Sequence, residues 1–216
     1  MFEARKWYWE KRIERTLEAL KRNGFDAVHV PDGKAAVSRV LELIPEDALV
    51  GIGGSVTLRE IGLLEALERR GNTLANHWQA RQRGATAEET QRIRRQQINS
   101  DAFVTSTNAV TEKGELINVD GAGQRVAAMI FGPKKVIVIA GINKIVGDID
   151  EGIDRVRELA APMNAKRLNL KTPCAVTGVC SDCDSKDRIC NVTSIIQKMP
   201  WGADITVVLV GQSLGY

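Results

Sequence analysis

The sequence predicts an α/β protein: a mixed, mostly parallel sheet flanked by helices. Three observations carry this expectation. Strand-like runs such as "FDAVHVPD", "DALVGIGG" and "KKVIVIAG" alternate with segments of helical periodicity. Several of these runs are almost wholly apolar, as strands covered on both faces are. The 216 residues, 44% hydrophobic and 26% charged, suffice for one domain with a sizeable core.

The elements follow in order. Trp9, Ile13, Leu17 and Leu20 recur at helical spacing and Gly24 supplies a stop, so residues 1–24 form a helix packing on a body of residues 25–216. Trp7 and Trp9 are expected against that body or against a second subunit. "FDAVHVPD" is a strand and "KAAVSRVLELI" a helix; "DALVGIGG" is a second strand running into glycines. A helix is predicted from Thr57 to about Arg70, with Thr57 and Glu60 as a capping box, and "NTLANHW" offers a third strand. Residues 86–100 form a helix capped by Thr86 with Glu89 three positions on. Then comes a hairpin whose turn is Glu112-Lys113-Gly114-Glu115 and whose returning strand ends at Asp120. A short helix (Gln124 to Ile130), the buried strand "KKVIVIAG" and a helix stopping at Pro162 precede the last strand, in "ADITVVLVGQSLGY".

Charge and hydropathy narrow the function. Thirty basic and 27 acidic residues leave a net charge of +3, too balanced to argue for nucleic acid, and aromatics are only 5%. "RIRRQQ" reads as a solvated helix face. No run approaches the ~20 apolar residues of a membrane span. The charged, aromatic N-terminus lacks the apolar stretch of a signal peptide, so a cytoplasmic location with reduced thiols is expected. Aromatic surface on the N-terminal helix suggests a homodimer.

In open α/β sheets, ligands sit beyond the carboxyl ends of the strands. Three such ends carry polar or glycine clusters. "LVGIGGSVT" offers Gly51, Gly53, Gly54, Ser55 and Thr57 as an anion cradle at a helix start. "TSTN" offers Thr107 and Asn108, and "AGINK" offers Asn143 and Lys144. If the three converge, they make a pocket for a small anionic substrate, with Lys144 meeting its charge and Glu112 or Asp120 as general base. His29 reads as structural within its strand, and His77 as somewhat more available. The glycine pattern is neither the P-loop nor the full dinucleotide fingerprint.

All four cysteines, Cys174, Cys180, Cys183 and Cys190, lie in "TPCAVTGVCSDCDSKDRIC" with the spacing C-x5-C-x2-C-x6-C. The close Cys180–Cys183 pair can bite one metal, and Cys174 and Cys190 complete four thiolates. A [4Fe–4S] cluster, a structural zinc ion and a thiol–disulfide pair all remain open from the spacing.

Taken together, "GIGGSVTLREIG", "TSTNAVTEKGELINVDGAGQRVAAMIFGPKKVIVIAGINKIV", "RVRELAAPMNAKRL" and the cysteine stretch resemble the lactate-utilisation (LUD) domain family, which includes lactate utilisation protein C. The resemblance spans Arg12 to the C-terminus. It implies a NagB/RpiA/CoA-transferase-like fold. It also implies a part in oxidising L-lactate to pyruvate, as a redox enzyme or as a subunit of a complex whose partners carry iron–sulfur clusters. The cysteine stretch (172–191) resembles a single-domain branch and departs from lactate utilisation protein C itself. Two alternatives stand beside this reading: a non-redox isomerase or CoA-transferase-like enzyme with structural cysteines, and a non-catalytic binding or regulatory subunit. No Ser/His/Asp set or H-E-x-x-H motif marks an enzyme outright.

Overall fold

The computed structural model describes residues 2–216. Its strands are β1 (Asp26–Val30), β2 (Leu49–Ile52), β3 (Thr73–Ala75), β4 (Ala102–Thr105), β5 (Ala109–Thr111), β6 (Leu116–Asp120), β7 (Lys135–Gly141), β8 (Ile145–Val146), β9 (Val192–Ile196) and β10 (Asp204–Val210). Six of them form one sheet in the order β1-β10-β7-β4-β2-β3, and every neighbouring pair is parallel.

The apolar runs are explained by what covers each face. Along β7 and β10, Val136, Val138, Ala140, Ile205, Val207 and Leu209 join one apolar cluster, while Ile137, Ile139, Val208 and Val210 join another. Side chains alternate across a strand, so each pair of neighbours feeds two opposite cores. On the first face, Ile13 and Leu20 of the helix Phe2–Arg22 and Met129 of the helix Gln124–Phe131 close the core. On the second, Val40, Leu58, Leu63 and Leu67 come from helices Gly33–Leu43, Val56–Glu60 and Leu63–Arg70.

The hairpin predicted around Gly114 forms, but it belongs to a second sheet, β8-β5-β6-β9. There β5 and β6 run antiparallel, β8 adds a parallel edge and β9 an antiparallel one. Strand β9 was not expected. Its residues follow the cysteine stretch, and most of its side chains are exposed, so hydropathy gives little sign of it.

Two predicted helices differ in the structure. The one expected over residues 57–70 is split by Gly62, whose φ of +70° suits glycine and ends the first piece. Its expected capping box does not form: Ser55 is the N-cap, without a side-chain bond, and Thr57 and Glu60 are engaged elsewhere. The helix expected to stop at Pro162 passes through it. A π-helical stretch at Val156–Ala160 lies between Ile149–Arg155 and Ala161–Arg167. Pro162 then falls in the first turn after the π segment, where its missing N–H leaves the fewest bonds unmade. Among the described residues no helix is long and apolar enough to cross a membrane.

Candidate functional site

Strands β7, β4 and β2 are consecutive in the sheet, so their carboxyl ends open side by side. Beyond β7 a 3₁₀ turn, Ile142–Lys144, carries Lys144 inward until only 4% of it is exposed. Its Nζ donates to Thr57 Oγ1 at 3.0 Å and to Ser106 Oγ at 2.8 Å. Thr57 follows β2 and Ser106 follows β4, so one amine ties three neighbouring strand tips. It has no carboxylate in contact among the described residues. Burial, reinforced by the charges of Arg155 and Arg125, pushes the amine down to about 7, against a weaker upward pull from Glu60. As an ammonium it has three hydrogens, and two are used.

Above Lys144 lies a cavity of about 650 Å³. Of the residues predicted from sequence, Gly54, Ser55, Thr57, Thr107, Asn108 and Lys144 line it, and Asp120 does too. The lining is strongly positive. Arg59, Arg81, Arg94, Arg125, Arg167 and Lys144 face a single acid, Asp120. That acid is already engaged: Arg125 Nη2 approaches Asp120 Oδ1 at 2.7 Å and the backbone N–H of Val126 donates to Oδ2 at 3.1 Å. Arg125 and the Val119 N–H also donate to Asn108 Oδ1. With its acceptor oxygen occupied twice, Asn108 meets a ligand as a donor.

Several predicted roles need correction. Glu112 is not among the residues that line the cavity: it accepts from Arg12 at 2.6 Å and Arg15 at 2.7 Å, pinning the N-terminal helix to the hairpin turn. Burial pushes its carboxyl up, but the hydrogen bonds from Arg15 and Arg12 outweigh that and hold it below the ordinary carboxylate value. Asp120 is at the cavity but, bound up with Arg125, is no free base. Gly51 and Gly53 are packing glycines and do not line the cavity. A Cβ on Gly51 would come within 2.7 Å of Ser100 Oγ, and one on Gly53 would strike the Thr105 side chain. Asn143 also lies outside; its side chain accepts from Leu214 N–H and donates to the Leu214 and Gly215 carbonyls, clamping the C-terminal tail.

Sequence reasoning missed part of the wall. His77, expected to be the more available histidine, is instead buried, at 1% exposure. Its Nδ1 lies 2.9 Å from the Gln97 amide nitrogen, which already faces the carbonyls of Ile52 and Ala75. An amide nitrogen only donates, so Nδ1 accepts and the ring hydrogen sits on Nε2. Burial, helped by Arg94, Arg81 and Arg59, lowers His77 to about 4, so the ring is neutral at pH 7. Trp78, next to it, packs over Gly54, where any Cβ would collide with the indole.

The cysteine stretch borders the same cavity through Ile189 and Cys190. Cys174 sits in the short helix Pro173–Thr177, and residues 178–191 have no regular structure. Arg188 organises this loop, donating to the Cys183 carbonyl at 2.7 Å, the Cys190 carbonyl at 3.2 Å and Asp182 Oδ1 at 2.7 Å. Burial raises the Cys190 thiol; Arg188 opposes this, and Cys180, Cys174 and Cys183 each add to the rise. Among the described residues no three Cys, His, Asp or Glu side chains are gathered closely enough to hold a metal ion. The stretch thus supplies four sulfurs of the right kind for a thiolate-held centre, but not a gathered ligand set. Its final gathering would come with the metal, as coupled binding and folding allow.

A parallel sheet with a cationic pocket across three strand tips defines the class: an α/β protein whose cavity opens at the carboxyl ends of its strands. The chain belongs to the LUD domain family, whose model matches residues 13–210. It is similar in fold to a DUF162 family protein from Deinococcus radiodurans, at 12% identity and a TM-score of 0.55, over 94% of this chain and 98% of that one. The overlap with ribose 5-phosphate isomerase A from Neisseria gonorrhoeae is partial, 54% of each chain at 16% identity and a TM-score of 0.34. A comparison with curated protein sequences found no match.

Proposed function

We propose that the chain binds a 2-hydroxy or 2-oxo carboxylate in this cavity and serves the oxidation of L-lactate to pyruvate, as a redox enzyme or as a subunit of an iron–sulfur oxidoreductase complex. Membership of the LUD domain family, which relates to lactate utilisation, supports the pathway. One observation carries the site: Lys144, tying three strand tips, at the floor of a cavity with six cations and one engaged acid. A carboxylate would take the remaining hydrogen of the Lys144 ammonium, with Asn108 donating beside it. Because burial brings that amine close to neutrality at physiological pH, carboxylate binding is expected to weaken as the ammonium loses its proton. A [4Fe–4S] cluster held by Cys174, Cys180, Cys183 and Cys190 would supply one-electron transfer beside the cavity, whereas zinc there would supply only structure.

The full chain, purified without oxygen, is expected to carry iron and absorb near 400 nm, and to pass electrons from L-lactate to a dye when its partner subunits are added. Colourless, zinc-loaded protein would remove the electron-transfer part. A second reading is favoured by the engagement of Asp120: with no free carboxylate base in the cavity, the chain is a binding subunit. Turnover of L-lactate by the chain alone would exclude that reading.

A further inference from the structure

The wall of the cavity around Trp78 carries more positive charge than one carboxylate can use. The guanidinium carbons of Arg59, Arg81 and Arg167 lie 5.9, 5.7 and 5.5 Å from the centre of the Trp78 ring. Arg94 joins them from the helix Ala87–Ile98. Among the described residues none of these four is ion-paired; Arg94 donates to Gln91 and Arg167 to Asn164, both neutral. The cations act on one another. Burial and then Arg81 lower the guanidinium of Arg94, and burial and then Arg59 lower that of Arg167.

Two buried donors on this wall, His77 Nε2 and Arg94 Nε, have no hydrogen-bond partner. Crowded like charge and unpaired buried donors both cost free energy, and a folded chain keeps them together where a ligand removes both costs. A carboxylate offers one charge and two oxygens. A phosphoryl group offers close to two charges and three acceptor oxygens, matched to guanidinium forks and to a neutral imidazole N–H. The cavity's size, about 650 Å³, is that of a site for a ligand much larger than lactate.

We propose that Arg59, Arg81, Arg94, Arg167 and His77 form a phosphate subsite, so that the cavity's ligand is an organic phosphate whose carboxylate or carbonyl end lies at Lys144. The placement of that second end rests on the function proposed above; the subsite stands on its own residues.

Calorimetric titration of the full chain with 3-phosphoglycerate, glycerate and inorganic pyrophosphate tests this. The phosphorylated acid is expected to bind at least tenfold more tightly than glycerate. Arg81→Gln and Arg167→Gln should each weaken 3-phosphoglycerate binding five- to tenfold, a clearly larger loss than either causes for glycerate. Because both arginines lie amid like charge and neither is ion-paired, the two ligand-free variants should melt at or close to the temperature of the parent chain. Binding of 3-phosphoglycerate and pyrophosphate without glycerate would sustain the subsite and remove the hydroxy-acid reading. Glycerate bound as tightly as 3-phosphoglycerate would overturn the subsite and leave that reading standing. Unchanged 3-phosphoglycerate affinity in both variants, or no binding of any probe, would also overturn it.

Discussion

Lys144 concentrates the chemistry of the molecule in one side chain. Its amine is held by two hydroxyl groups and no carboxylate, so its charge is free for a ligand. This has a sign that can be checked. The unfolded amine titrates near 10.5 and the folded one near 7, so between these values the unfolded chain binds more protons. The contribution of Lys144 therefore makes the ligand-free protein more stable as pH rises from about 7 to about 10.5, and Lys144→Met should flatten that rise in a pH series of urea melts. Anion affinity should move the other way, falling as pH rises through about 7. Asp120 has a different office. Asp120→Ala leaves Arg125 buried without its counter-charge, and a loss of about 3–5 kcal/mol in denaturant melts is expected. At this scale the sequence was a partial guide. Lys144, Ser55, Thr57, Thr107 and Asn108 could be found because each sits just past a strand end. Arg59, Arg81, Arg94 and Arg167 could not, because four different helices deliver them and a guanidinium on a helix reads locally as solvated surface.

Between the residue and the fold, the hairpin turn and the N-terminal helix act as one unit. Glu112 ties the turn to Arg12 and Arg15, and Asn23 donates to the carbonyls of Lys113 and Gly114. Gly114 itself has φ +81°, and a Cβ there would lie 2.6 Å from Ala19 C and Leu20 N. Gly114→Ala must then strain the turn and lift the helix, and a destabilisation of roughly 1–3 kcal/mol is expected in thermal or urea melts. Ligand affinity should not change, since the turn lies outside the cavity lining. The turn was readable because glycine between charged residues and flanking apolar strands has few other uses. The passage of a helix through Pro162 was not. A proline normally ends a helix, and only the preceding π-helical stretch, which no local pattern announces, accommodates it. The same stretch brings Val156 and Ala160 to the cavity wall.

For the whole molecule, buried alternation in β7 and β10 specifies a sheet covered on both faces, which is why the α/β class was legible. The convergence of three strand tips follows from strand order, with β4 between β2 and β7, and strand order is a long-range property that periodicity does not encode. It is this order that makes a single cationic hollow out of segments up to 87 residues apart, as the Lys144–Thr57 bond records. The most direct measurement is a calorimetric titration of the parent chain and Lys144→Met with pyruvate at pH 6.5, alongside their melting curves. The account predicts saturable binding by the parent chain and at least a tenfold loss in a variant that still folds. Equal affinity in the two folded proteins, or no binding by the parent, would contradict it.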